Sequence, residues 1–185
     1  MDLYHLALFL HILGAFGLVA ALAVEAIALR GLRDATHAES ARPWLGAIRA
    51  LRIMAPASIA LILVMGLYLT ATAWGGKPWI LTAILGLVLI AVIGGVLTGT
   101  RMARIGPAIG QARGPLSPDL QRSLQDPILV LSSRVRLALV VGILFLMSLK
   151  PSWLASIIVL VIAAALGVLA SQLGSRGRNE LQPAS

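Results

Sequence analysis

The sequence predicts an all-α membrane protein of five transmembrane helices, one domain over residues 1–185. Hydrophobic residues make up 59% of the chain and charged residues 12%, with a mean hydropathy of +0.95. A soluble domain of this size could not keep so much apolar surface from water. The apolar residues fall in runs of about 20, the length at which a helix crosses a bilayer core. The charges gather at the ends of those runs.

The first run, 3–29, contains Tyr4, His11, Leu18 and Glu25, spaced seven apart. On a helix that spacing drifts by only about 20° per step, so the four share one stripe. A membrane helix carrying His and Glu on one stripe should turn it toward protein. The run lacks a basic leader and a small-residue cleavage site, so it reads as a retained helix, not a signal peptide. A polar connection follows, in which Pro43-Trp44 suggests a short interfacial helix. Leu45, Ile48 and Leu51 would then face lipid, and Arg49 and Arg52 the headgroups.

The second helix is expected over 53–73, with Pro56 near its start, and the third over 80–99. Between them lies the turn Trp74-Gly75-Gly76-Lys77-Pro78-Trp79, whose Gly and Pro break the helix. A long Gly-, Pro- and Ser-rich connection follows, with a helical piece starting at Ser117 or Pro118. Asp126-Pro127 is a strong cap and first-position pair for a fourth helix over 128–149. Lys150-Pro151-Ser152-Trp153 is the next turn. The fifth helix spans 154–173, and a polar tail runs from Gly174.

Thirteen of the fifteen Lys and Arg lie on one side of this layout, and Lys77 and Lys150 on the other. The positive-inside rule then places the N-terminus outside and the C-terminus in the cytoplasm, in a bacterial inner membrane. Trp74, Trp79, Trp153, Tyr4 and Tyr68 form an aromatic belt at the outer face. The two Lys-Pro turns, and the triplets Ala91/Gly95/Gly99 and Ala163/Gly167/Ser171, recur at an offset of about 72 residues. This predicts two similar hairpins, helices 2–3 and 4–5, forming a four-helix core with the first helix added.

The net charge of +8 does not indicate nucleic acid, because aromatics are not interleaved with the basic residues. The absence of cysteine excludes disulfides and thiolate metal sites. No nucleophile–base pair, P-loop, dinucleotide fingerprint or metalloprotease motif is present, so no catalytic residue is assigned.

Three places can carry chemistry. His11 lies in the outer half of the first helix, where an imidazole can ligate haem or a metal, relay protons, or form an interhelical hydrogen bond. Met65 and Met147 fall in the outer halves of their helices, and a thioether with His11 would suit Cu(I) or a haem axial pair. Glu25, near the inner edge, should be paired, with Arg52 or Arg136 as partner, as a bundle-fixing ion pair or as a proton or cation relay. His5 and His37 read as solvated.

The opening HLALFLHILGAFG, and Ser133-Arg134-Val135-Arg136 through LFLMSLKPSW, resemble segments of small bacterial membrane families near the CopD-type copper-resistance proteins and HemJ-like proteins. Those open with a helix bearing His before a small-residue patch. The resemblance nominates His11 for haem or copper. Members of those families carry further histidines in later helices, whereas this chain has none after His37.

The functional expectation is a bundle cavity lined by the His11–Glu25 stripe, serving small-ligand or ion binding or transport. Two alternatives stand beside it: a haem- or copper-binding redox or accessory protein using His11, and a structural subunit of a larger membrane complex. The expected partners are the lipid bilayer and either a second copy or other membrane subunits.

Overall fold

Each apolar run forms a helix, and several helices continue well past their runs. In the computed structural model, which describes residues 2–179 with side chains through 173, α1 is Leu3–Asp34 and α2 is Ala38–Leu69. A π-helical turn, Thr70–Trp74, carries α2 to its end. α3 is Pro78–Ile93, and a second π-helical segment, Gly94–Gly99, joins it without a break to α4, Thr100–Gln111. α5 is Pro118–Leu124, α6 Pro127–Leu149 and α7 Trp153–Asn179. Five helical rods are long and apolar enough to cross a membrane: Leu3–Asp34, Ala38–Trp74, Pro78–Gln111, Pro118–Leu149 and Trp153–Leu173. The described residues hold no strand, only an isolated bridge between His37 and Pro115. The polar tail expected from Gly174 is helical backbone to Asn179, and the rest lies outside the described residues.

Two expected caps are in place. Asp126 Oδ1 accepts from the Ile128 amide at 2.9 Å, and Ser117 Oγ accepts from the Leu120 amide at 3.4 Å. The segment expected as a separate interfacial helix instead forms the first turns of α2. Pro43 and Pro56 lie inside that helix without ending it. Leu45, Ile48 and Leu51 do not face lipid: they are 3%, 5% and 7% exposed. For Leu45 and Ile48 the reason is a second hydrophobic core at the basic end. There Leu29 and Leu32 of α1 pack with Leu45 and Ile48 of α2, Met102, Ile105 and Ile109 of α4, Leu120 and Leu124 of α5, and Leu129 of α6. A rod of 37 residues is about 55 Å long, far more than an apolar layer of about 30 Å. The excess length is what builds this core.

Polar contacts tie the basic end together. The Ala38 amide donates to the Gly114 carbonyl and the Leu116 amide to the Thr36 carbonyl, each at 2.9 Å. Arg42 donates to the Ala112 carbonyl at 3.0 Å, and Arg101 Nε to Asp126 at 2.6 Å.

Within the spans, Leu18 and Leu22 of α1 pack with Ala83, Leu87 and Ile90 of α3 and with Val135, Leu139 and Leu146 of α6. α1 lies along α2, α6 lies along α7, and α3 packs on α6. The two expected hairpins differ in packing: α6 and α7 are closely apposed, whereas α2 and α3 touch little and α2's main neighbour is α1. Small residues account for this. A Cβ on Gly167 would fall 2.6 Å from the Val135 Cα, and one on Gly142 would fall 2.9 Å from the Ala163 methyl. Gly14 and Gly17 do the same for α1 against Ser58 and Ile62. Gly95 of the matching triplet has nothing within 4 Å.

Gly167→Ala should therefore force α7 off α6 and destabilise the bundle by about 1–3 kcal/mol, as overpacking does. Gly95→Ala should change little. Thermal unfolding in detergent compares them, and equal midpoints would contradict the assigned interface.

Candidate functional site

Two polar features of the spans lie on the α1 stripe, and they are separate. Leu18 and Glu25 are 3% and 7% exposed and His11 is half-buried, so the stripe faces protein. Glu25 and His11 are fourteen residues apart, about 21 Å along the helix.

The first feature, nearer the basic end, is an ion pair between Glu25 and Arg136, both buried. Arg136 Nη1 donates to Glu25 Oε2 at 2.9 Å and Nη2 donates to Oε1, a two-pronged clamp from α6 to α1. Nη2 also donates to Thr98 Oγ1 at 3.1 Å, and Nε to the Ser132 carbonyl at 3.2 Å. Thr98 and Ser132 hydroxyls lie 2.9 Å apart, and Ser132 Oγ donates to the Ile93 carbonyl at 3.4 Å. A carbonyl can only accept and Thr98 accepts from Arg136, so the hydroxyl protons run from Thr98 to Ser132 to Ile93. Ile93 is the last α-helical residue before the π segment. Gly94, next to it, leaves room for the guanidinium: a Cβ there would lie 3.0 Å from Arg136 Nη1. Arg52, the other partner expected for Glu25, is exposed and takes no part. Leu51 and Ser58 set the buried face of α2 there, and Arg52 is turned about 100° from Leu51.

The second feature, toward the tryptophan-bearing ends of α2 and α3, is a cavity of about 530 Å³ between the α1–α2 pair and α3 and α6, where α2 stands away from α3. Its walls are almost wholly aliphatic and aromatic, including Ala15, Leu63, Leu87 and Ile143. Trp74, Trp79 and Lys150 line the tryptophan end. His11 is the only imidazole in the lining. Its Nδ1 lies 3.0 Å from the Ile62 carbonyl, and its ring fits against Gly66, where a Cβ would meet Cε1 at 3.1 Å. Because the carbonyl can only accept, the neutral ring carries its proton on Nδ1. Nε2 makes no hydrogen bond among the described residues. Met147 shares the cavity wall, and Met65 does not line it. Among the described residues no group of three or more His, Asp or Glu side chains is placed to hold a metal. His5 is exposed beside Asp2, and the exposed His37 lies 3.0 Å from Thr36 Oγ1.

No protein family, curated protein or solved structure matches the chain.

Thr98 and Ser132 were not singled out by the sequence as partners of Arg136. The available signal was a serine four residues before Arg136, one helical turn away, and a threonine in the glycine-rich segment Gly94–Gly99 that continues α3. Removing one member of a buried pair strands the other charge, at a cost of about 3–5 kcal/mol. Glu25→Gln should lower the thermal midpoint in detergent, while Arg52→Gln should leave it unchanged. Equal effects would show that Arg136 does not depend on Glu25.

Proposed function

We propose that the chain is a multi-pass protein of the bacterial cytoplasmic membrane whose outer-half cavity binds a hydrophobic small molecule, with His11 Nε2 as the polar contact deep in the site. The observation that carries this is a cavity of about 530 Å³ whose walls are apolar apart from His11, held at Nδ1 by the Ile62 carbonyl, and Thr70 and Lys150 toward the tryptophan end. That size is in the usual range for small-molecule sites. An ion path is less well supported. Among the described residues no carboxylate lines the cavity, and both Glu25 oxygens are engaged by Arg136. Glu25 and Arg136 then act as a clamp beneath the site.

A second reading has a specific observation behind it. A metal-binding histidine commonly donates its other ring N–H to a carbonyl, as His11 does to Ile62. His11, with Met147 on the same wall, would then hold haem or copper, as the resemblance to CopD-type and HemJ-like proteins implies. Met65 has no part in that arrangement.

Brominated decane, in the full-length protein in nanodiscs, tests the first reading. It should quench Trp74 and Trp79 saturably, and Ala15→Phe, which narrows the cavity, should weaken the quenching. Non-saturable quenching unaffected by Ala15→Phe would overturn it. An absorption spectrum and metal analysis test the second: a Soret band or stoichiometric copper lost in His11→Ala supports it, and neither being present removes it.

The orientation proposed from the charge asymmetry has the N-terminus outside, and the recurring Lys-Pro turns suggest that the α2–α3 and α6–α7 pairs descend from one duplicated unit. The cysteine-free chain makes orientation simple to test. A cysteine at Gly76 should react with an impermeant maleimide in intact cells, and one at Gly46 should react only after lysis. The reverse pattern would invert the topology.

A further inference from the structure

The rim of the cavity is as specific as its floor. Lys150 caps α6 in the left-handed region, at φ 51, and is the only non-glycine residue with positive φ among those described. That conformation favours Gly or Asn, so a lysine there is a conformationally disfavoured choice. It is held by its amide, which donates to the Leu146 carbonyl at 2.9 Å, and by Pro151 after it. The ammonium sits 4.0 Å above the Trp74 ring, and Trp74 stands edge-on to Trp79 at 5.8 Å. The π-helical turn Thr70–Trp74 presents Trp74 to it. Among the described residues, Lys150 is the only charged side chain in the cavity lining, with His11 taken as an imidazole. The Thr70 hydroxyl, also in the lining, is already donated to the Gly66 carbonyl at 2.8 Å. Trp74 lies eight residues beyond Gly66, the residue against His11, so the cation is about 12 Å from the imidazole along the helix.

Resting on the reading of the cavity as a hydrophobic-ligand site, we infer that its ligand is a long-chain carboxylate, whose head is bound by Lys150 at the tryptophan rim and whose chain runs down the cavity toward His11. A cation at the mouth of an otherwise apolar cleft is complementary to a molecule with one anionic end. The Trp74 and Trp79 rings suit the boundary between that head and the chain. A neutral alkane or ester would fill the same walls but leave the ammonium without a counter-charge.

The test uses the full chain in phosphatidylcholine nanodiscs, with a brominated long-chain fatty acid and its methyl ester as quenchers of Trp74 and Trp79. Wild type should bind the acid about tenfold or more tightly than the ester, the scale of a charge-assisted contact. Lys150→Asn, which suits the left-handed backbone, should erase the preference, and Lys150→Arg should keep it. Equal binding of acid and ester by wild type, or a preference that survives in Lys150→Asn, overturns the inference. If both quenchers bind equally and Ala15→Phe weakens both, the cavity reading stands and only the anionic head is wrong. If neither quenches saturably, the cavity reading fails and this inference with it.

Discussion

Two opposite charges buried in an apolar bundle must meet, and the meeting of Glu25 with Arg136 fixes where α1 lies against α6. Leaving either alone would cost several kcal/mol, so the helices accept the register that joins them. The rest of the network follows from the guanidinium's geometry. Its remaining donors need acceptors, and Thr98 and the Ser132 carbonyl supply them. Gly94 supplies the space, and the π segment beginning there brings Thr98 within reach. The clamp therefore organises α1, α3 and α6 together.

The clamp also explains why the cavity lies where it does. Below it, the long basic ends of α1, α2 and α4 close into the second hydrophobic core, capped by α5. Above it, α1 follows α2 through Gly14 and Gly17, while α7 follows α6 through Gly142 and Ala163. Nothing comparable draws α2 to α3. The two packed groups are thus joined toward the basic end and separate toward the tryptophan end. His11 stays in that gap because Gly66 admits its ring and Ile62 holds its Nδ1.

The parts of this arrangement that depend on depth and local chemistry were legible in the sequence. The apolar runs marked the five long helices, and Ser117 and Asp126 marked two helix starts. Counting 1.5 Å per residue placed Glu25 and Arg136 at one level. Depth alone could not separate Arg136 from Arg52, because the choice depends on which helix face is turned inward. The same ambiguity hid the second core: a stripe such as Leu45, Ile48 and Leu51 looks alike whether it faces lipid or Met102 and Ile109. Met65 and Met147 both lie toward the tryptophan ends of their helices, yet only Met147 reaches the cavity wall. The repeating small residues showed where close approach was allowed, but not that α7 would use it and α3 would leave Gly95 open. The π segments and the left-handed Lys150 have no sequence signature of comparable strength.

The most direct test of the account is a double-mutant cycle on Glu25→Gln and Arg136→Met, measured by unfolding of the protein in detergent. If the two side chains form the clamp, the double variant should be less destabilised than the sum of the single variants, with a coupling of about 0.5–3 kcal/mol, the range for residues in one salt-bridge network. Additive losses would show that the charges do not stabilise one another and that something else sets the register of α1 against α6.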